Sequence, residues 1–533
     1  MDYDGHSNES GDDGHRITAN SFLNYNVDIQ KLNIAATLGY EYNENYSKSY
    51  VMDIGGFPDI PGLEGPANGS EYLWADWNIS GNTRWTERSE SYFFRANLSY
   101  NRKYLLGFSI RRDGTSKLAK ENRYSNFPAV SAGWVISDEA FMSRQHVINL
   151  LKLRTSYGMT GSITNVSMAD CYDRLSSDIY WGKPALSVAS TLGNPDLQWE
   201  KTNQVDVGVD LALFQNRLTL IAEWYLKRTS GMMNSEPLPS STGGYTSRKI
   251  NAGTIRNSGV DLALNFQHHF TRDWGLTAGI NMNINRSKVI DLPVDNWAYS
   301  SAYYGGGNTP RPRLKIGQSF GALEMYRALG LDERGDIIYD DVSGNGSIDA
   351  ADKVIIDNLT PKFTGGLNLG VSWKNLSLFG QFSFTYGGKI YNLDEQLLRS
   401  TELGYDDVMK NKPDYILDRW TQENQSSRYP RFVVGAHGAQ NETGWNDRPS
   451  TLYLFDASFL KLNKLTLSYN LPQNWIQKLG MTSCSVYLSG ENLFTLKNKK
   501  LNVPDPEAAL TSGIAQKGVP SPRSFMIGLD LTF

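Results

Sequence analysis

Apolar and polar positions alternate over the last ten residues: Phe525, Ile527, Leu529, Leu531 and Phe533 share one side of an extended strand, and Ser524, Met526, Gly528, Asp530 and Thr532 the other. The same period of two recurs along the chain. Val205, Val207, Val209, Leu211 and Leu213 oppose Asp206, Gly208, Asp210 and Ala212, and a turn at Gln215-Asn216 leads into Leu218, Leu220, Ala222 and Trp224. Val260 to Phe266 turns at Thr271-Arg272-Asp273 into Trp274 to Ile284, and Leu367 to Trp373 turns at Lys374-Asn375 into Leu376 to Phe384. Arg16 to Asp28 and Asn33 to Tyr50 read as a hairpin, followed by strands near 92–100, 104–110, 126–136 and 150–161. Leu465 to Leu471 and Cys484 to Leu488 precede the terminal strand. The pattern predicts about fifteen strands.

The links between these strands alternate in length. Those near 30, 102, 143, 215, 272, 375 and 477 are short, whereas those near 70, 120, 180, 242, 325, 425 and 510 are long. A soluble sandwich has no reason to alternate in this way. A transmembrane antiparallel β-barrel does, with short turns on the periplasmic side and long loops outside. The expected fold class is therefore all-β, with residues 1–533 a barrel portion and long external loops at about 51–90, 162–201, 230–255, 291–363, 388–459 and 495–524.

Composition changes this picture little. Mean hydropathy is -0.43 and no apolar run approaches the ~20 residues of a membrane helix, but barrel strands average out as hydrophilic. A net charge of -4 lacks the basic excess of a nucleic-acid binder. The 12% aromatic content suits either membrane-interface girdles or sugar-stacking platforms. Trp74, Trp77, Trp85, Tyr180, Trp181, Tyr303, Tyr304 and Trp445 lie in external loops and suit sugar stacking, but girdle or loop packing is the readier explanation for any single one of them. Cys171 and Cys484 have no metal spacing. The opening residues have neither a basic n-region nor an apolar h-region, so no signal peptide is expected at this start, and an exported protein would begin upstream of it.

A series of phrases then narrows the reading. Arg111-Arg112-Asp113-Gly114-Thr115-Ser116, Asn122-Arg123-Tyr124, Phe127-Pro128, Gly133-Trp134 and Glu139-Ala140-Phe141-Met142 come first. Leu151 to Gly158, Asn194-Pro195-Asp196-Leu197-Gln198-Trp199-Glu200-Lys201-Thr202, Asn257-Ser258-Gly259-Val260, Gly490-Glu491-Asn492-Leu493-Phe494, Asp505-Pro506-Glu507 and Val519-Pro520-Ser521-Pro522-Arg523 follow in order. Together they resemble the SusC/RagA family of TonB-dependent transporters. The resemblance implies an outer-membrane location and a 22-stranded barrel of which this chain is the C-terminal part, with the family's plug absent. It implies TonB-energised import of oligosaccharides or peptides, a SusD-like surface lipoprotein as lid, and the TonB-ExbB-ExbD system as partner through the absent N-terminal portion. Gly528, Leu531 and Phe533 are similar to the C-terminal signal of outer-membrane barrels, and the terminal strand is expected to leave an open edge unless the first strand meets it. The alternatives are a passive porin or adhesin on the same barrel, or a soluble carbohydrate-binding β-protein.

The sharpest local motif is Asp341 to Asp352. Asp341, Ser343, Asn345, Ser347, Asp349 and Asp352 occupy positions 1, 3, 5, 7, 9 and 12 of a calcium loop, with Gly346 at the turn. Ser343 replaces a carboxylate and Asp352 is shorter than the usual Glu, so the stretch reads as a structural Ca²⁺ site or as a metal-free polar turn. His268 and His269 are adjacent and point to opposite faces of a strand, so they do not chelate together. Tyr304-Gly305-Gly306-Gly307-Asn308 has no helix after it and predicts a loop. With 6 His and no Ser/His/Asp set in context, no enzyme is expected.

Overall fold

The computed structural model describes residues 6–55, 71–72, 83–181, 183–294, 297–298, 309–357, 359–399, 414–432, 445–509, 513–516 and 518–533. Fifteen strands form the main path of one sheet whose order follows the sequence. They are β1 (His6–Ile29), β2 (Leu32–Gly55), β3 (Thr83–Tyr100), β4 (Tyr104–Thr115), β5 (Tyr124–Val135), β6 (Ile148–Ser162), β7 (Glu200–Leu213) and β8 (Leu218–Ser230), then β9 (Thr254–His269), β10 (Trp274–Asp291), β11 (Phe363–Trp373), β12 (Leu376–Tyr386), β13 (Phe459–Asn470), β14 (Ser483–Lys497) and β15 (Ser524–Thr532). This is the all-β architecture that the alternation predicts. The chain divides into two compact units.

The first unit comprises Met1–Ala132, Ser156–Asn203 and Gly231–Ala252. β1 and β2 pair along their whole length, from Ile29 opposite Leu32 to His6 opposite Gly55. Gln30 takes φ +54° to close that two-residue turn. Leu23, Leu38, Phe94 and Ile110 stand side by side across β1 to β4 and are all exposed. Tyr100 stacks on Tyr104 at one end of this greasy face, and Tyr40 packs on Tyr92 at the other. Eight residues separate Tyr92 from Tyr100 on β3, about 27 Å of strand at ~3.4 Å each, which matches the ~25 Å apolar band between the aromatic girdles of a membrane barrel. β1 and β2, at 24 residues each, run well past that band.

The second unit comprises Gly133–Thr155, Gln204–Ser230 and Gly253–Phe533. Across β8 to β13, Leu220, Leu264, Ile280, Leu367, Phe382 and Leu462 make one apolar row. On the opposite face, Glu223, Asp261, Asn283, Thr364 and Thr385 make a polar one. β15 pairs with β14 from Ser524 opposite Glu491 to Thr532 opposite Ser483. Among the described residues no strand pairs with its other edge, and Phe525, Ile527 and Phe533 are strongly exposed.

The strands contribute little to a conventional core; the buried apolar side chains collect in the loops. Leu323, Met325, Tyr326, Ile337, Tyr339, Tyr391, Leu393, Trp445, Leu452 and Tyr453 form the largest cluster. Leu118, Val166, Cys171, Leu197 and Met233 form a separate one in the first unit. Cys171 and Cys484 are both buried free thiols.

Candidate functional site

The loops of the second unit fold into a body of their own. Among the described residues its α-helix, α1 (Leu393–Arg399), is only seven residues long and depends on side chains at both ends. Asn392 Oδ1 accepts from the Glu395 amide at 3.0 Å, and Asn392 Nδ2 donates back to Glu395 Oε2 at 3.2 Å. Arg399 Nε closes the last turn on Glu395 Oε1 at 3.0 Å. Both partners are buried. The Tyr429 hydroxyl donates to the same carboxylate, and its ring lies 3.1 Å from the Arg399 guanidinium. Burial, and then the Glu395 carboxylate, push the Tyr429 phenol well above its ordinary value, so it remains a donor throughout the physiological range.

A second set of contacts fastens distant segments to this helix. Asp336 receives Arg431 Nε and Nη2 at 2.7 and 2.8 Å and Asn446 Nδ2 at 3.0 Å. The Ile337 amide donates to Asn446 Oδ1 at 2.9 Å, and Trp445 Nε1 donates to the Ile337 carbonyl at 2.8 Å. The Tyr339 hydroxyl reaches the Trp445 carbonyl at 2.8 Å, and Tyr391 reaches Gln396 Oε1 at 2.7 Å. Residues 322–339, 389–399 and 445–456 are thus one packed body in which the buried side chains of Asp336, Gln396, Glu395 and Asn446 find partners, while the Ser450 hydroxyl has none among the described residues.

The loop from Asp341 to Asp352 lies beside this body and is ordered by its own carboxylates. Asp341 Oδ1 accepts from the Gly344 amide at 2.8 Å and Oδ2 from the Gly346 amide at 2.9 Å. Asn345 Nδ2 donates to Asp349 Oδ2 at 3.1 Å, and the Ser347 amide donates to Asn345 Oδ1 at 2.8 Å. Asp352, inaccessible to solvent, accepts from the Ser343 and Asp349 amides at 2.9 and 2.8 Å. Those amides hold its carboxyl below the ordinary carboxylate value. Gly344 and Gly346 take φ +69° and +79°, which these tight turns require. Arg448 Nη1 donates to the Ile348 carbonyl at 3.0 Å while its guanidinium stacks 4.5 Å from the Trp445 ring, which joins the turn to the loop body. All six sequence-selected oxygen-bearing residues therefore share one turn. Among the described residues, no three His, Cys, Asp or Glu side chains converge as a metal cluster.

Sequence reasoning did not find the concave site on the wall itself. Glu223, Asp261, Asn281, Asn283 and Thr364 line a depression of about 390 Å³ on the polar face of β8 to β11. Asn283 Nδ2 donates to Asp261 Oδ1 at 2.5 Å, and Arg154 pairs with both Asp210 and Glu223. The signal was present in the period-two pattern, but it needs the register between strands to bring those positions together.

The aromatic loop residues separate. Trp445 is buried in the loop core, whereas Tyr180 and Trp181 are 71% and 87% exposed. Trp85 lies on β3, and Trp74, Trp77, Tyr303 and Tyr304 lie outside the described residues, as does Gly305-Gly306-Gly307-Asn308. His268 sits between Phe266 and Phe270, edge-on to the latter at 4.7 Å, in an aromatic packing role.

The residues of the family-like phrases brace the structure. Trp199 Nε1 donates to the Arg123 carbonyl at 3.1 Å and its ring meets Phe127 edge-on at 5.5 Å. Asn122 Nδ2 holds the Pro195 carbonyl and Asn194 Nδ2 the Lys249 carbonyl. Asn492, at φ +53°, donates to the Pro522 carbonyl at 3.0 Å.

The family model for the TonB dependent receptor-like β-barrel matches residues 2–493. The chain belongs to that family, and within it to the SusC/RagA type. TonB-dependent receptor P3 of Formosa agariphila is 27% identical over 551 residues, covering 96% of this chain and 52% of that protein. TonB-dependent receptor SusC of Bacteroides thetaiotaomicron is 28% identical over 459 residues, covering 83% of this chain and 43% of that protein. The solved structure of the RagAB peptide transporter superposes with a TM-score of 0.81 at 26% identity, covering 99% of this chain and 56% of that one. This TonB-dependent barrel spans about half the length of the relatives it matches. Its family is one of outer-membrane receptors and transporters, not of enzymes, so the apolar row of its strands faces lipid and the polar row the lumen.

Proposed function

We propose that the protein is a component of a SusC-like outer-membrane importer, in which the barrel wall is the conduit and the folded loops are the seat of a SusD-like surface lipoprotein. Uptake of oligosaccharides or peptides draws its energy from the TonB-ExbB-ExbD system. The observation that carries this reading is the loop body built on Glu395, Asp336 and Trp445: loops that only restrict a passive pore need no buried ion-pair network, whereas a docking seat must keep its shape while a lid opens and closes. The likeness to the RagAB peptide importer, solved in "closed-closed" and "open-open" states, supports a moving lid over a fixed seat. The test combines two readouts from outer membranes of the producing cell. A tagged protein is expected to co-purify with a surface lipoprotein, and uptake of labelled solute is expected to stop when TonB is deleted. Uptake that survives TonB deletion would favour the passive porin.

The Asp341–Asp352 turn, in the same reading, takes a structural calcium ion that stiffens the external loops. The donor set fits: the Asp341, Asn345 and Asp349 side chains and the Ser347 carbonyl are hard oxygens in one turn. Calcium is expected to raise the melting temperature of the purified protein and to lose that effect in Asp341→Ala. An unchanged melting temperature on titration with calcium overturns the assignment.

A further inference from the structure

The four-stranded loop sheet formed by residues 297–298, 311–314, 322–326 and 353–356 carries an unbalanced charge on one face. Arg311 stands opposite Glu324, Arg313 opposite Ala322, and Tyr326 opposite Lys353. In an antiparallel ladder, directly opposed residues project to the same side, and alternate residues keep it. Arg311, Arg313, Glu324, Tyr326 and Lys353 therefore share a face.

Only one carboxylate on that face is paired with a cation. Arg313 Nη2 meets Glu324 Oε2 at 2.9 Å. Its Nε is buried and has no hydrogen-bond partner. Arg311 is exposed, and among the described residues neither it nor Lys353 forms an ion pair. The Lys353 ammonium instead lies 5.3 Å from the centre of the Tyr326 ring, and the Arg448 guanidinium lies at the same distance from that ring. Asp349 and Asp352 also act on Tyr326, but they accept from the Ala351 amide and from the Ser343 and Asp349 amides of their own turn. Burial, together with the nearby Arg311, Arg313 and Arg448 guanidiniums, pulls the Lys353 ammonium below its ordinary value, and Glu324 only partly opposes this.

A half-buried ammonium beside several guanidiniums and one carboxylate is costly when nothing neutralises it. Two guanidinium forks and an ammonium converging from adjacent strands are also the donor set that recognises oxyanions. We propose that the face made by Arg311, Arg313 and Lys353, backed by Tyr326 and Arg448, binds an acidic group, a sulfate or a carboxylate, on the imported solute. The inference rests on reading these loops as the external vestibule of an importer, and it narrows the solute to an acidic saccharide or peptide. Tyr326 supplies an apolar floor, so the charges sit beside a surface that excludes water on one side and strengthens the contact.

The test uses the purified protein in detergent and needs no uptake. Lys353 acylation by an amine-reactive reagent is followed by mass spectrometry in sodium sulfate, sodium acetate and sodium chloride at equal ionic strength. A bound oxyanion favours the unreactive ammonium form of Lys353 and covers it, so sulfate or acetate is expected to slow its acylation about fivefold relative to chloride. Protection by acetate assigns a carboxylate-bearing solute and protection by sulfate alone a sulfated one. Arg311→Gln, at an exposed side chain whose loss does not threaten folding, is expected to abolish the protection, whereas Arg334→Gln, outside the face, is expected to leave it. Equal acylation in all three salts, or undiminished protection in Arg311→Gln, overturns the proposal. Because the assay bypasses transport, TonB-independent uptake with intact protection counts against the importer alone, and lost protection with intact uptake counts against this site alone.

Discussion

Lys461 on β13 donates to Asp505 Oδ2 at 2.8 Å, which ties the wall to the last long loop across 44 residues of chain. Glu507 Oε2 takes a second Lys461 proton at 3.0 Å, and Ser521 Oγ donates to Asp505 at 2.6 Å. The phrases Asp505-Pro506-Glu507 and Val519-Pro520-Ser521-Pro522-Arg523 thus meet on one buried lysine. Lys461→Met leaves the half-buried Asp505 carboxylate without its cation, and the expected cost is roughly 2–4 kcal/mol. Urea unfolding of the purified protein measures it. Replacing both partners, as Lys461→Met with Asp505→Leu, is expected to recover much of the loss, because no stranded charge remains.

The Glu395 carboxylate is the hinge of the loop body. Tyr429→Phe removes one of its donors and keeps the ring that stacks on Arg399. The expected cost is about 1–2 kcal/mol, seen as earlier proteolytic cleavage around residues 414–432 and no change in the barrel's resistance to detergent. Equal loosening of the barrel would show that the loops and wall unfold as one unit.

Acid is expected to open the Asp341–Asp352 turn. The folded Asp352 carboxyl lies below its ordinary value, so its contribution is complete above the unfolded value of about 3.9 and disappears as pH falls through the lower folded one. A fluorophore on Ser347→Cys, at an exposed position, is expected to report a transition below pH 4. Asp352→Asn, which cannot accept two backbone amides as a carboxylate does, is expected to show the opened signal already at neutral pH.

The wall was legible in the sequence and the loop body was not, for a physical reason. Val205 to Leu213 or Val260 to Phe266 alternates because each strand meets a different medium on each face, and that contrast is local. The short turns at Asn101-Arg102, Gln215-Asn216 and Lys374 were legible too, since their left-handed φ values favour asparagine-rich, polar stretches. The loop pieces are two to seven residues long and pair with segments far away, as Tyr391 does with Ile514, so no local period marks them. Glu395 looks in sequence like any exposed helical acid, and only Asn392 and Arg399 at the two ends of its own helix, with Tyr429 arriving from a distant loop, make it a buried centre. Trp445, legible only as an aromatic in an external loop, is a core residue because its indole N–H is taken by the Ile337 carbonyl. In the Asp341–Asp352 turn, glycines at 344 and 346 leave the chain few other ways to fold, and the Asp341 and Asp352 carboxylates accept from amides of the same turn.

The central claim is that the long loops of the second unit form a folded body on the cell's exterior, at the opposite end of a membrane-spanning wall from the short turns. Cysteine labelling in intact cells tests it most directly, and the buried Cys171 and Cys484 keep the background low. Ser347→Cys, in the Asp341–Asp352 turn, is expected to react with a membrane-impermeant maleimide in whole cells, and Asn375→Cys, in the turn between β11 and β12, only after the outer membrane is permeabilised. Labelling of Asn375→Cys in intact cells, or protection of Ser347→Cys until permeabilisation, would contradict the account.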